Sequence, residues 1–275
     1  MRTGRIIVRL LLVVLLCLAG AAAYLYYQST RPPEGYQPLS LPPEQTQMAA
    51  NAFINRKIVD EFGNKTQLNQ PFDWTLSQEQ ANQALASMDE IAFQLGGPQG
   101  ALKRQMDKQG LSGPAVQFKD DRVVLMVKSK TYDKVLSLEM SVSSLPDGRL
   151  AVHLEDVRVG RQSVPRSLVD PQLAAMGSFL SSTTQSAPEE GSAMGPVGVV
   201  HAKDLGKLLK EIFGAINGQP IRPVLKWPVN HKKMAVQSVN LYNGQMTLHL
   251  KPVAQDSSSA ALEPAEPPGG FPFLH

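Results

Sequence analysis

"FDWTLSQEQANQAL", residues 72–85, decides how this chain is built, because it reads either as the front of an active site or as the hinge where a sheet hands over to a helix. Phe72 and Trp74 alternate with polar neighbours, as in a short strand. Ser77 and Gln80 then form a Ser-x-x-Gln capping box, in which each side chain satisfies an orphan backbone amide of the other's turn, so a helix starts at Ser77. Ala81, Ala84, Leu85, Met88, Ile91 and Ala92 recur at three- and four-residue intervals, giving one apolar stripe that runs to Leu95. Gly96, Gly97 and Pro98 stop it. Glu79 suits the helix dipole in the first turn, and Asn82, beside the stripe, is placed to bond the backbone of a neighbouring loop or strand. The stretch therefore reads as a hinge.

Upstream, Met48 to Phe62 looks helical, with Ala52, Ile54 and Val59 available for a buried face, and Gly63 to Gln70 breaks it. Downstream the period changes to two. Val123, Leu125 and Val127 recur at every second position; Leu136, Leu138, Met140 and Val142 alternate with Ser137, Glu139, Ser141 and Ser143; Leu150, Val152 and Leu154 follow. These are half-buried antiparallel strands, with Pro146, Asp147 and Gly148 as a turn. After Glu155 and Asp156 the phase slips to Val157 and Val159, which predicts a bulge or the strand's end. "AVQFKDDRVVLMVK" (115–128) and "SVNLYNGQMTLHLK" (238–251) share their apolar pattern without gaps, with Asp120-Asp121 and Asn243-Gly244 at the same point. Asn-Gly is a hairpin signal. A shared period of two and an internal duplication both account for the echo, and either way the last fifty or so residues return to the sheet.

Between these strands, Asp170 can cap a helix opened by Pro171 that carries Leu173, Met176, Phe179 and Leu180. Ser181 to Gly198 is small, polar and punctuated by glycine and proline, and is expected to be a mobile loop. Leu205, Leu208, Leu209, Ile212, Phe213 and Ile216 then form an apolar stripe opposed by Lys203, Lys207, Lys210 and Glu211. A solvated face over a core stripe is the ordinary reading; a basic face resting on anionic lipid is the other.

The N-terminus carries a location signal. Leu10 to Tyr27 is apolar or aromatic without a charge, and Ile6 to Val8 extend it past Arg9, giving roughly the 20 residues a bilayer-spanning helix needs. Residues 6–27 are thus expected to be a transmembrane anchor. Arg2, Arg5 and Arg9 precede the run and only Arg31 closely follows it, so residues 1–5 stay cytoplasmic and the remainder is sent outside. A signal peptide cleaved near Ala21 to Ala23 is the competing reading, against which stands the Tyr24, Tyr26, Tyr27 continuation of the apolar run. Residues 28–47, with five prolines, read as an extended stalk, residues 48–254 as one extracytoplasmic domain, and residues 255–275 as a disordered tail ending in "GGFPFLH".

Chemistry is sparse. The single cysteine, Cys17, lies in the anchor, so the exported part has neither an internal disulfide nor a thiolate metal site. His153, His201, His231, His249 and His275 are too far apart for a metal spacing, and no nucleophile elbow, Walker loop or dinucleotide fingerprint occurs. The paired carboxylates Asp120-Asp121, Glu155-Asp156 and Glu189-Glu190 are adjacent in sequence, so in a strand they point apart and cannot flank one bond. Net charge is +3, owed largely to the anchor's arginines, and gives no electrostatic case for nucleic acid. The sequence therefore assigns no catalytic, cofactor-binding or metal-ligating residue and leaves ligand-binding residues unassigned; it reads as a non-enzyme.

The basic N-terminus, single apolar helix and stalk, followed by "WTLSQEQANQAL" and later "VRVGRQSVPRSLV", resemble the YpmS-like family of membrane-anchored bacterial proteins of unknown function. The matching residues are Thr75, Leu76, Ser77, Asn82 and Leu85, then Gly160 and Pro165; Arg161-Gln162 stands where such proteins are more apolar. The resemblance implies a relative of the tubular lipid-binding folds, with an apolar groove between a curved sheet and a helix and lipid or another apolar molecule as cargo. The expectation is an α+β protein: an N-terminal transmembrane helix, then an antiparallel, curved sheet packed on amphipathic helices. Its expected role is that of a single-pass protein of the cytoplasmic membrane, binding an apolar ligand or assisting envelope assembly with an envelope-protein partner. The alternative is a protein-interaction scaffold acting through residues 181–198 and the tail that holds Phe271 and Phe273.

Overall fold

Period-two patterning over the middle and end of the chain builds two antiparallel sheets, and the helical segments cover them. The fold is seen in a computed structural model that describes residues 2–165, 167–168, 220–226 and 232–253, with the side chains of the first helix from Leu16 onward. The chain runs α1 (Arg2–Thr30), α2 (Pro43–Ala52), a π-helical stretch over Phe53–Gly63, α3 (Asn64–Gln67), β1 (Phe72–Ser77), α4 (Gln78–Ala86), α5 (Met88–Gln94) and α6 (Ala101–Lys108). Strands follow: β2 (Leu111–Lys119), β3 (Arg122–Ser129), β4 (Lys134–Ser144), β5 (Leu150–Val159) and β6 (Gln162–Ser163). Beyond residue 219 come β7 (Val224–Lys226), β8 (Lys233–Tyr242) and β9 (Gln245–Pro252).

The architecture is α+β, but the single sheet expected from the sequence is two. One has the order β1-β9-β8-β7 and the other β2-β3-β4-β5-β6, with every neighbouring pair antiparallel. The C-terminal hairpin does not rejoin the middle strands because β1 claims it: Phe72 pairs with Leu250 and Trp74 with Leu248. Asn243 (φ 49) and Gly244 (φ 69) both take the positive φ of a tight hairpin, which holds β8 and β9 in register. The two sheets meet where Leu150 bridges Ile221, and Ile54, Phe62, Leu150, Met234, Val236 and Leu250 form the core there.

The opening hinge has the expected form. Gln80 N–H donates to Ser77 Oγ at 3.2 Å and Ser77 N–H to Gln80 Oε1 at 3.1 Å, closing the capping box at the end of β1. The stripe to Leu95 is not one helix, however. Ser87 is fully buried, its hydroxyl donates to the Gln83 carbonyl at 2.7 Å, and α4 ends there before α5 begins, as a serine that bonds back into its own helix bends the axis. The helix placed over Met48 to Phe62 starts earlier, at Pro43, whose fixed φ suits a first turn. It passes through Gly63, which is helical (φ −62) rather than a break.

The strand details agree with the sequence. Glu139 pairs with Asp156 and Met140 with Leu154, so Glu155 is the extra residue of a bulge. Gly148 turns β4 into β5 at φ 75. Residues 115–128 and 238–251 both fold as hairpins, in different sheets.

The free stalk expected over residues 28–47 is corrected. Helix α1 continues to Thr30, and the chain after it lies on the five-stranded sheet before α2 begins. Tyr36 packs on Ala115, Val124, Met126 and Val135, and its hydroxyl donates to the Gly113 carbonyl at 2.9 Å. Arg161 holds the upstream part, its backbone N–H donating to the Gln28 carbonyl at 3.0 Å and its Nε to the Pro32 carbonyl at 3.1 Å. Proline composition suggested a solvated spacer; one tyrosine and a sheet corner dock it instead.

Among the described residues, no helix is long and apolar enough to cross a membrane. The helices expected around 170–180 and 203–216, the loop 181–198 and the tail 255–275 lie outside the described residues, as do His201, His231, His275, Glu189-Glu190, Phe271 and Phe273.

Candidate functional site

The five-stranded sheet has two unlike faces, and their burial is opposite to what the alternation in β4 predicts. Ser137 and Glu139, the polar set, are only 3% and 6% exposed, whereas Leu136 and Leu138 between them are half-buried. The docked linker explains the first part, since Gln117, Val124, Met126, Val135, Ser137 and Glu139 share the face it covers.

Beside the apolar cluster under Tyr36, that covered face carries a set of polar groups that match one another. Glu139 is gripped by Arg122 (Nη1 to Oε1, 2.7 Å) and Arg158 (Nη2 to Oε2, 3.3 Å), and Arg158 Nε also donates to Asp156 Oδ2 at 2.6 Å. The Ser163 hydroxyl donates to Asp156 Oδ1 at 2.5 Å. Burial works to raise the Asp156 carboxyl, but the Ser163 hydroxyl and the Arg158 guanidinium outweigh it and hold the group below its usual range. Hydrogen bonding to Glu139 raises the Arg122 guanidinium in turn. A cleft of about 190 Å³ remains between Pro33, Glu34 and the strands, and the Gln117 side-chain oxygen is buried without a partner beside it. With Glu139 held by Arg122 and Arg158, and Glu34 beside Arg161, the cleft lies where the linker is fastened to the sheet.

A pH dependence follows from Asp156. Because its folded pKa is depressed, its contribution to stability is complete above the unfolded value and is lost as pH falls through the folded one. Asp156→Asn is expected to lower the urea midpoint at neutral pH, and the variant and parent curves are expected to converge as pH falls below the ordinary carboxylate range of about 4. Parallel curves over that range would show that Asp156 carries no such linkage.

The opposite face is apolar and, by the described residues, only partly covered. Leu125 pairs with Leu138, which pairs with Val157; next to that row, Val127 pairs with Leu136 and Leu136 with Val159. Leu125 is 40% exposed and the other five are half-buried. Further along the same face, Met140 and Leu154 are buried. The Glu155 bulge is what keeps both stretches on one side, because an even alternation without the extra residue would turn Val157 and Val159 towards the linker. Two rows of three aliphatic side chains on a curved sheet make this the described surface best suited to an apolar ligand.

The residues weighed in the sequence fall elsewhere. Asn82 brackets Val116, its Nδ2 donating to the Val116 carbonyl at 2.9 Å and its Oδ1 accepting from the Val116 N–H at 2.8 Å, as a structural role requires. Gln78, which no sequence signal marks, accepts from Phe118 N–H at 3.0 Å through its side-chain oxygen. Together they occupy the edge of β2 as a missing strand would. Asn82→Ala is expected to cost about 2 kcal/mol, because the buried Val116 amide and carbonyl lose their partners; chemical denaturation measures it. Glu79 is exposed in the first turn of α4 and accepts from Gln83 Nε2 at 3.3 Å. Asp121 takes positive φ in the β2–β3 turn, and Glu155 accepts from the Ser141 hydroxyl. His153 and His249 lie in different sheets; His249 Nδ1 instead meets its cross-strand partner Asp73 Oδ1 at 2.6 Å, an exposed pair that only the register reveals.

Among the described residues there is no cluster of three or more potential metal ligands. Between α4 and the sheets, Leu76, Ala81, Val116, Phe118 and Leu241 form a buried cluster. A second cleft, of about 310 Å³, opens between the π-helical stretch and α4 and is lined by Arg56, Lys57, Glu61, Gln80 and Gln83 with a few small or apolar neighbours. Lys57 and Glu61, four residues apart on the π-helical stretch, pair at 2.8 Å. Comparison with protein-family models, curated proteins and solved structures finds no match.

Proposed function

We propose that this chain is a non-catalytic, single-pass protein of the bacterial cytoplasmic membrane, anchored through residues 6–27 with residues 1–5 inside. Its extracytoplasmic domain takes an apolar ligand such as a lipid chain. The observation that carries the ligand reading is the pair of aliphatic rows Leu125–Leu138–Val157 and Val127–Leu136–Val159, left partly open while polar Ser137 and Glu139 on the reverse are buried. Part of this face packs into the core around Met140 and Leu154, and an apolar stretch that the described residues leave partly open beside it is the pattern of a binding surface. The uncharged run Leu10 to Tyr27 and the arginines before it support the anchor.

The test is direct. The chain from Gln28 onward, which keeps the docked linker, is purified from cells and extracted with organic solvent, and lipid is quantified by mass spectrometry. Stoichiometric lipid is the expected result. A folded domain that carries none, from cells and after incubation with lipid vesicles, rules the ligand reading out and leaves the protein-interaction role of residues 181–198 and 255–275.

A further inference from the structure

The end of α1 is not a loose swivel. Lys134, at the start of β4, donates to Ser29 Oγ at 2.7 Å, and its ammonium lies 5.3 Å from the centre of the Tyr26 ring. Arg31 stacks its guanidinium 4.4 Å from the centre of the Tyr27 ring. Arg161, in the β5–β6 turn, bonds the carbonyls of Gln28 and Pro32. Gly160 between them has φ +61, and a Cβ there would meet the carbonyl oxygens of Ser29 and Arg31, the latter at 2.7 Å. Thus one corner of the five-stranded sheet is seated on the helix end by backbone contacts that leave no room to slide.

The same corner gathers the chemistry of a membrane surface. Tyr24, Tyr26 and Tyr27 are exposed, Tyr26 at 69%, and Tyr132 in the neighbouring β3–β4 turn is 73% exposed. Arg31, Lys134 and Arg161 stand among them, at the helix end where the dipole favours cations; of the carboxylates nearby, Glu34 lies 3.7 Å from Arg161, and Asp133, beside Lys134, is held by Lys128 at 2.6 Å. Amphipathic rings at the end of an apolar run and cations beside them are what headgroup phosphates and glycerol ester groups attract.

We propose that this corner, made by Lys134, Arg161, Arg31 and the exposed tyrosines, rests on anionic phospholipid headgroups and holds the domain in one fixed orientation on the bilayer. The inference rests on the membrane-anchor reading. Each cation beside an anionic leaflet favours the seated orientation on the order of fivefold, so removing two of them shifts it on the order of 25-fold.

The test uses the full chain with Cys17→Ser and a fluorophore on a single new cysteine, at Gln162 near the corner or at Ser144 in the far β4–β5 hairpin. The protein is reconstituted in vesicles bearing a headgroup nitroxide quencher, with and without phosphatidylglycerol. With phosphatidylglycerol, the label at 162 is expected to be quenched several-fold more than that at 144, and Lys134→Gln with Arg161→Gln is expected to abolish the phosphatidylglycerol dependence. Chain that floats with vesicles but shows equal quenching at both sites, or quenching indifferent to phosphatidylglycerol, overturns this inference and leaves the anchor intact. Chain that does not float with vesicles overturns both.

Discussion

Gly160→Val is expected to destabilise the domain by about 4 kcal/mol, among the largest effects of any single substitution outside the core. Gly160 is buried, its N–H donates to the Val135 carbonyl at 2.7 Å, and its φ is +61. A left-handed conformation alone disfavours a side chain by about 1–2 kcal/mol, and a β-branched one by more. The added Cβ also presses on the Ser29 and Arg31 carbonyls, which are backbone and cannot swing aside. The structure relieves this by lifting the linker, which uncovers Tyr36, Val124, Met126 and the Glu139 ion pairs. Two readouts follow: a lower urea midpoint, and faster chymotryptic cleavage after Tyr36 in native conditions. Undiminished stability with unchanged cleavage would mean that the linker is not held at this corner.

Leu138→Asp is expected to reduce bound lipid by at least about tenfold while unfolding free energy falls by only about 1 kcal/mol. Leu138 is the middle of its row, between Leu125 and Val157, and is half-buried in the domain as it stands. A carboxylate there removes one aliphatic contact of about 1.5–3 kcal/mol when fully covered and sets a charge against the ligand. Since the position already touches water, the fold loses less than the complex does. Met140→Asp, two residues on and buried, is expected to unfold the domain instead. Equal lipid in Leu138→Asp and the parent, measured on folded protein, removes this face as the binding surface.

Local chemistry was the legible part of the sequence. The Ser77–Gln80 box, the Gly148 turn, the Glu155 bulge and the Asn82 backbone bracket each depend on a few neighbouring residues, so their identities suffice. Partition into two sheets was not legible, because β1 and β9 are some 170 residues apart and any alternating strand offers the same pattern to any other. Nor was the docking of the linker. Tyr36 among prolines looks like a spacer residue until Ala115, Val124, Met126 and Val135 are placed beneath it. That docking inverted the burial of β4 and so hid the candidate surface, since alternation marks two faces without saying which one the rest of the chain will cover. His249 against Asp73 was unreadable for the same reason: it exists only in the register.

The bond from Arg161 to Pro32 joins residues 129 positions apart. A ribosome adding roughly 5–20 residues each second reaches Arg161 between about 6 and 26 s after Pro32. For that interval the leading helix has been synthesised with no corner to receive it, so final seating belongs to a late stage of biogenesis. Mutations that slow the meander of β2 to β5 would lengthen the wait, and any factor that escorts this protein would have to act during it.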